Sequence, residues 1–416
     1  MNDTELYAKM LGLQAPWQVT SVDFNPLQRA VTVFVASAPD WQWHCPHCGQ
    51  PATRYDKRRR QWRHLDTMQF QTLLDAELPR VQCPEHGVTQ VPVPWAEPGS
   101  GFTALFEAMV IFWLKQASTQ AVATALDLSW NAVDGIMQRA VRRGLARRAE
   151  LAPAQLSVDE TSFQKHHEYV TVVTDQSDGR VLYVADERTR ESLETFYAGL
   201  SDQQRAGIRA VAMDMWPAYI NATRAYVPDA DRKIAFDKFH VAKYLGDGVD
   251  KVRREEHRRL LREGDTILKG TKYQWLRNPN NMCREQKHEF AALRDSHLKT
   301  ARAWAMKEIA MDIWRYQRRG WADKAWREWL GWAQRCRLAP MQKVAATIKQ
   351  HLWGILNAIV LGVHNGHAES TNSRIQRIKS RACGFRNRER FRNAIYFHCG
   401  GLDLMPEGAD GKWLPT

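Results

Sequence analysis

The stretch Gln155-Leu156-Ser157-Val158-Asp159-Glu160-Thr161 decides how the rest of the chain is read. Polar and apolar residues alternate into Asp159, which is the period of a strand with one buried face. Two further strand-like runs follow at residues 169–174 and 180–185, with Gly179 at the turn between them, so the segment reads as a three-strand meander. A helical pattern at residues 191–200 leads to another apolar run, Ile208-Arg209-Ala210-Val211-Ala212-Met213, which ends on Asp214. Two strands thus deliver two aspartates to one end of a sheet. Carboxylates that converge repel each other unless cations sit between them, so the pair is either a metal site or two unrelated surface residues.

The chain has 416 residues, 44% of them hydrophobic and 10% aromatic, which excludes a disordered protein. That length has room for roughly two to four domains. Lys plus Arg number 59 against 46 for Asp plus Glu, and the formal charge of +13 suits a polyanionic partner such as DNA or RNA, with a merely basic soluble protein as an equal alternative on charge alone. No apolar run reaches the roughly 20 residues needed to cross a bilayer, and residues 1–13 lack the basic start and apolar middle of a signal peptide. A cytoplasmic location is the expectation. Seven cysteines, three of them near the N-terminus, suit reduced thiols and a metal better than a disulfide framework.

Alternating stretches at residues 17–24 and 30–35 flank Asn25-Pro26 and read as a hairpin. Cys45-Pro46-His47-Cys48-Gly49 follows, a tight knuckle that presents two thiolates on one side and makes half of a tetrahedral zinc site. Cys83-Pro84-Glu85-His86-Gly87 repeats the layout with His86 in the fourth position, and strands at 61–65 and 69–78 lie between. The reading is a zinc ribbon held by Cys45, Cys48, Cys83 and His86, against an unligated turn pair or a redox motif. Arg54 to Arg63 is a basic run on the ribbon's surface, suited either to phosphates or to solvent.

Beyond a Pro-rich spacer the pattern turns helical, with Phe102, Leu105, Phe106, Met109, Val110 and Trp113 on one face. Ser118 and Ser129 are placed to cap two shorter helices that flank the turn Asp127-Leu128. In the second of them Val133, Ile136, Met137, Ala140 and Val141 point inward, leaving Asn131, Gln138, Arg139, Arg142 and Arg143 outside as a DNA recognition helix would have them. An ordinary small helical bundle is the alternative.

Past Asp214, a helix or turn at residues 216–226 precedes a fifth strand, residues 232–236, which ends on Asp237 with His240 three residues later. Trp216 is expected in the core, with stacking on a distorted base as the alternative. Residues 241–362 are helical and carry eight of the 17 tryptophans, too much apolar area for a linker, so they are expected to form a packed insertion with outward Arg253, Arg254, Arg258 and Arg259. The segment after His364-Asn365-Gly366-His367-Ala368-Glu369-Ser370-Thr371-Asn372 is again helical. Glu369, Asn372, Gln376 and Ser380 share one face, and Arg374, Arg377 and Arg381 share another that faces phosphates.

Ser157-Val158-Asp159-Glu160, Met213-Asp214-Met215-Trp216-Pro217-Ala218-Tyr219, Phe236-Asp237-Lys238-Phe239-His240-Val241 and His367-Ala368-Glu369-Ser370-Thr371-Asn372 through Gly384-Phe385-Arg386 resemble the ordered motifs of bacterial DDE transposases of the ISL-three family. The cysteine knuckles and the helix-turn-helix lie where that family has them, and His86 departs from an expected fourth cysteine. The resemblance implies an α/β multidomain protein: an N-terminal hairpin and zinc ribbon (1–98), a helix-turn-helix (99–150), and a ribonuclease H-like mixed-sheet catalytic domain (151–240 and 363–416) split by an all-helical insertion (241–362). It further implies a catalytic triad of Asp159, Asp214 and Glu369 with Asp237 and His240 as an auxiliary pair.

The same resemblance implies two Mg²⁺ ions, or Mn²⁺, about 3.5 to 4 Å apart, Asp159 bridging them, Asp214 holding one and Glu369 the other. Double-stranded DNA, as transposon ends and target, is the implied partner, with a homodimer or larger assembly working on the nucleoid. Glu160, adjacent to Asp159 on the strand, points to the opposite face and is expected to be structural. Two other readings stay open: a ribonuclease H-like nuclease or resolvase that cuts without joining, and a non-catalytic zinc and helix-turn-helix regulator.

Overall fold

Helix α1 (Asp3–Met10) is capped by Asn2, whose Oδ1 accepts from the Glu5 amide at 2.8 Å. The alternating runs after it become strands β1 (Trp17–Asn25) and β2 (Ala30–Ser37), an antiparallel pair around Asn25-Pro26 as expected. The next two strands are much longer than the sequence suggests. β3 (Thr53–Thr67) and β4 (Phe70–Cys83) form one antiparallel hairpin, and β5 (Gly87–Gln90) pairs with the end of β4. The basic run therefore lies in a strand whose side chains find acids across the ladder: Arg59 meets Asp75 at 2.7 Å, Lys57 meets Glu77, and Arg80 of β4 meets Asp56. The sheet runs β1-β2-β4-β3, with β2 and β4 parallel. Trp17, Trp62 and Trp95 meet edge to face at its core, with Trp95 5.0 Å from Trp17 and 5.6 Å from Trp62.

Three helices follow, α2 (Ala104–Gln116), α3 (Thr119–Ala125) and α4 (Trp130–Ala146). Ser118 and Ser129 cap the second and third through their hydroxyls, accepting from Ala121 and Ala132 at 3.2 and 3.1 Å. Thr103 caps the first, so that helix begins two residues later than its apolar stripe implies. The stripe itself is rotated from expectation: Phe106 and Val110 are buried, but Trp113 is 47% exposed, and Glu107, Ile111 and Leu114 take the inner face instead. Val133, Ile136, Met137, Ala140 and Val141 of α4 are all buried as expected. His64 of β3 reaches Thr103 at 2.9 Å, and burial drives its pKa down to about 4, so it makes this link as the neutral imidazole.

These elements, with residues 396–398 and 402–409, make one compact unit, and the described residues of 149–395 with 399–401 make a second. The structure describes residues 2–164, 168–363 and 366–409, the first four of the last segment by backbone alone.

In the second unit β6 (Gln155–Gln164), β7 (Glu168–Asp175) and β8 (Val181–Ala185) form the antiparallel meander, turning at Gly179 with its φ of 74°. Helices α5 (Arg190–Ala198) and α6 (Asp202–Gly207) return the chain to β9 (Ala210–Met213), parallel to β6, and α7 (Pro217–Tyr226) and α8 (Ala230–Lys233) carry it to β10 (Ile234–Phe236), parallel to β9. The fifth strand is shorter than expected because Arg232 and Lys233 finish α8. The order β10-β9-β6-β7-β8 is the mixed sheet of a ribonuclease H-like fold. Tyr219 of α7 reaches Thr171 of β7 at 2.8 Å, fixing that helix to one face.

The insertion consists of α9 (Lys238–Arg262), α10 (Lys272–Leu276), α11 (Arg284–Arg294), α12 (Lys299–Asp312), α13 (Arg319–Arg335) and α14 (Ala339–Leu361), and α15 (Gly366–Arg381) and α16 (Arg388–Cys399) follow. Trp275, Trp326 and Trp329 are buried in it, whereas Trp321 is exposed. Glu256 of α9, itself buried, accepts from the amides of Lys299 and Thr300 at 2.9 and 2.8 Å, satisfying the start of α12, where Leu298 offers no capping oxygen. Arg253 is not outward as expected; it is buried and paired with Asp250, while Arg254, Arg258 and Arg259 are exposed. Helix α14 is long and apolar enough to cross a membrane by length and composition, although Lys343 and Lys349 interrupt its apolar run; 56% of its most apolar window is buried in the fold.

Helix α14 covers the edge of the sheet. Asn357 donates to the carbonyls of Asp231 and Ile234 at 2.8 Å each, and accepts from Arg319 at 2.8 Å, so a side chain satisfies the edge strand where no neighbour exists. Gly354 lets the helix approach so closely that a Cβ there would lie 2.5 Å from the Phe236 ring. Gly354→Ala is therefore expected to destabilise the second unit by about 1–3 kcal/mol through overpacking, read as a lower midpoint in chemical denaturation. An unchanged midpoint would mean that α14 has room to shift.

Candidate active site

Strands β6 and β9 pair with Ser157 opposite Ala212, and β9 and β10 pair with Met213 opposite Phe236. Carried one or two residues further, these registers bring Asp159 on β6 level with Asp214 and Asp237, each one residue past the end of β9 or β10, where neighbouring strands are spaced about 4.8 Å apart. Each carboxylate is held by a nearby backbone amide: Asp159 by Glu160 at 2.8 Å, Asp214 by Met215 at 2.6 Å, and Asp237, which caps α9, by Phe239 at 3.1 Å. His240, in the first turn of α9, brings Nδ1 to 3.6 Å from Asp214 Oδ1. Burial holds the Asp159 carboxyl above its ordinary range; His240 and the Glu160 amide pull it back, and the charges of Asp237 and Asp214 push it up again. The row is thus a set of hard oxygen donors in mutual repulsion, the donor type that suits a magnesium-class cation.

Helix α15 docks on the same face of β6. Asn372 donates to Asp159 Oδ2 at 2.6 Å, Gln376 to Thr161 at 2.8 Å and Lys379 to the Ser162 carbonyl at 2.9 Å. Glu369 falls in this helix three residues before Asn372, and its side chain lies outside the described residues. Arg374 corrects an expectation: its guanidinium donates to the Gly179 carbonyl at 3.0 Å, holding the helix to the β7–β8 turn instead of facing phosphates. Arg377 and Arg381 are exposed.

Two residues near the acids carry signals that the sequence did not reveal. Arg188, in the loop after β8, lies 3.0 Å from Glu160 and 3.6 Å from Asp214 and ties the two together. Trp216 is not a core residue as expected; it is 39% exposed, with the Arg188 guanidinium 4.3 Å from its ring centroid. No motif marks Arg188, because only the closure of the sheet brings its loop to the end of β9.

In the first unit the donor atoms of Cys45, Cys48, Cys83 and His86 all lie within 4.8 Å of one another, the one such set among the described residues. Cys48 and Cys83 sulfurs are 3.7 Å apart, and His86 Nδ1 is 3.8 Å from Cys45 and 3.6 Å from Cys83. Four ligands at about 2.0–2.3 Å around a tetrahedral zinc stand at close to these separations, so the donor set fits that ion. Two of the three thiols are shifted toward the thiolate that zinc binds. The Cys48 amide leads in lowering Cys45 to about 6, and His86 leads in lowering Cys83, while the Gln50 amide pulls Cys48 down but burial and the neighbouring sulfurs raise it on balance.

Helix α4 presents fewer polar groups than expected. Arg139 is turned inward to buried Glu107 at 2.8 Å, and Arg143 is buried between Glu97 and the Leu404 carbonyl, which it reaches at 2.7 Å. Both are corrections: acids from other segments desolvate and capture them. Gln138 is half-buried and donates to Asp134 at 2.8 Å, leaving Asn131 and Arg142 as the exposed members of the predicted set. Arg143→Ala should lower the stability of this unit by about 1–3 kcal/mol by leaving the buried Leu404 carbonyl without its donor and Glu97 without its partner, whereas Arg142→Ala should change it by less than about 0.5 kcal/mol. Denaturation of the two variants checks this, and equal losses would contradict the assignment.

Residues 156–395 match the family model of the ISL3-type DDE transposase, residues 41–86 match the zinc-finger of transposase IS204/IS1001/IS1096/IS1165, and residues 91–141 match the helix-turn-helix domain of transposase family ISL3. The transposase for insertion sequence element IS1557 from Mycobacterium tuberculosis (strain ATCC 25618 / H37Rv) is 32% identical over 374 residues, 82% of this chain and 82% of its own length. The transposase for insertion sequence element IS1001 from Bordetella parapertussis is 29% identical over 353 residues, 83% of this chain and 86% of its own length. The chain belongs to the ISL3 family of insertion-sequence transposases.

Proposed function

We propose that this transposase cleaves DNA at transposon ends and joins the freed 3′-hydroxyl to target DNA, with Asp159, Asp214 and Glu369 holding divalent ions. The observation that carries the reading is the level row of Asp159, Asp214 and Asp237 across β6, β9 and β10, with Asn372 of α15 on Asp159. Glu369 shares a face with Asn372 by its three-residue spacing, which supports its inclusion. Bound Mg²⁺ or Mn²⁺ would supply an activated water and neutralise the leaving oxygen. The chain's own part is positional. Asn372 and the Glu160 amide orient Asp159, His240 neighbours Asp214, and Asp237 fixes the start of α9 beside both.

Asn131 and Arg142 of α4, with Arg377 and Arg381 of α15, are the exposed groups suited to DNA. Zinc on Cys45, Cys48, Cys83 and His86 holds the ribbon together. Two transposon ends must be brought together before joining, so the working form is at least a dimer, acting on the nucleoid in the cytoplasm.

The test is to incubate the protein with the DNA that flanks its own gene and Mg²⁺, map the breaks, and offer pre-cut ends to a target plasmid. Cleavage without joining would favour a nuclease, and binding without cleavage a regulator. Asp214→Asn should keep duplex affinity while cleavage falls by more than about a hundredfold; retained cleavage would remove Asp214 from the site. Cys45→Ser should lose the bound zinc, measured by elemental analysis of the purified chain, and weaken end binding. Unchanged zinc content would refute the ligand set.

A further inference from the structure

Arg188 stands where a divalent cation would have to compete with it. Its Nε is 3.0 Å from Glu160 Oε2 and its Nη2 is 3.6 Å from Asp214 Oδ2, and its guanidinium lies 4.3 Å from the Trp216 ring centroid. Yet Arg188 Nε and Glu160 Oε2 are both buried with no aligned hydrogen-bond partner. The guanidinium is therefore held by charge and stacking, without the forked hydrogen bonds that fix a structural arginine. Its charge and that of His240 are felt at Glu160, against the charges of Asp159 and Asp214. A permanent cation so placed satisfies the acids when no metal is bound and repels one that arrives.

We propose that Arg188 is the internal counter-ion of the acid row, and that loading a divalent cation on Asp214 requires the guanidinium to swing off that carboxylate while Trp216 and Glu160 retain the side chain. Its freed donors then take a phosphate oxygen of the DNA backbone, so metal and DNA binding reinforce one another. This rests on the metal-site reading above. Arg188 is a positioning residue, acting on the cation through Asp214.

The experiment is Mn²⁺ binding to the full-length protein, followed by the loss of the free-ion magnetic resonance signal, for wild type, Arg188→Gln, Arg188→Lys and Glu160→Gln. Arg188→Gln should bind Mn²⁺ roughly tenfold more tightly, because one unit of opposing charge is gone. Arg188→Lys, which keeps the charge, should stay within about threefold of wild type. Glu160→Gln should bind more weakly, since Arg188 is then left to Asp214 alone. Adding a DNA duplex should tighten Mn²⁺ binding in wild type and much less in Arg188→Gln. Equal or weaker affinity in Arg188→Gln overturns the proposal; if that variant does not fold, unchanged or tighter binding in Glu160→Gln does so. The two readings fail separately. If Asp214→Asn leaves Mn²⁺ binding intact, the metal site itself is wrong, whereas if Asp214→Asn abolishes binding and Arg188→Gln does not strengthen it, only the counter-ion role falls.

Discussion

Repulsion among level carboxylates on neighbouring strands is the constraint around which the second unit is built. A parallel register puts Asp159, Asp214 and Asp237 side by side, and such an arrangement is unfavourable unless donors and cations surround it. The chain supplies them from four directions: backbone amides at each acid, Asn372 from α15, His240 from α9, and Arg188 from the loop after β8. A site assembled from so many separate segments needs a rigid frame. The buried strands, and the helices locked to them through Tyr219 and Asn357, provide it.

The positive charge of the chain is divided between internal and external duties. Arg139 neutralises buried Glu107 of α2, Arg143 pairs with half-buried Glu97, Arg374 holds α15 to a turn, and Arg253 pairs within α9. In β3, Lys57 and Arg59 of the basic run meet acids on the partner strand, and Arg63 meets Asp66. A net charge of +13 therefore overstates how many cations are open to a nucleic-acid backbone, although Arg142, Arg377 and Arg381 are exposed.

Local rules were legible in the sequence and partnerships across the fold were not. Ser118 and Ser129 announce their helices because a cap acts within three residues, and the two cysteine knuckles because a zinc turn has fixed spacing. The alternation into Asp159 identifies its strand for the same reason. Arg143 looked like a recognition residue until Glu97 and the Leu404 carbonyl, distant in sequence, came to enclose it. Trp113 and Trp216 looked like core residues by type, but burial is decided by what packs above them. Arg188 belongs to this second group, since its two carboxylates come from different strands.

Asp237 is at once a member of the acid row and the cap of a 25-residue helix, the first of the insertion. The last helix of the insertion presses through Gly354 on Phe236, the residue just before it. The inserted helices thus hold one strand end as if between two fingers. A shift of these helices would therefore reach the carboxylate row through Asp237, its outermost member.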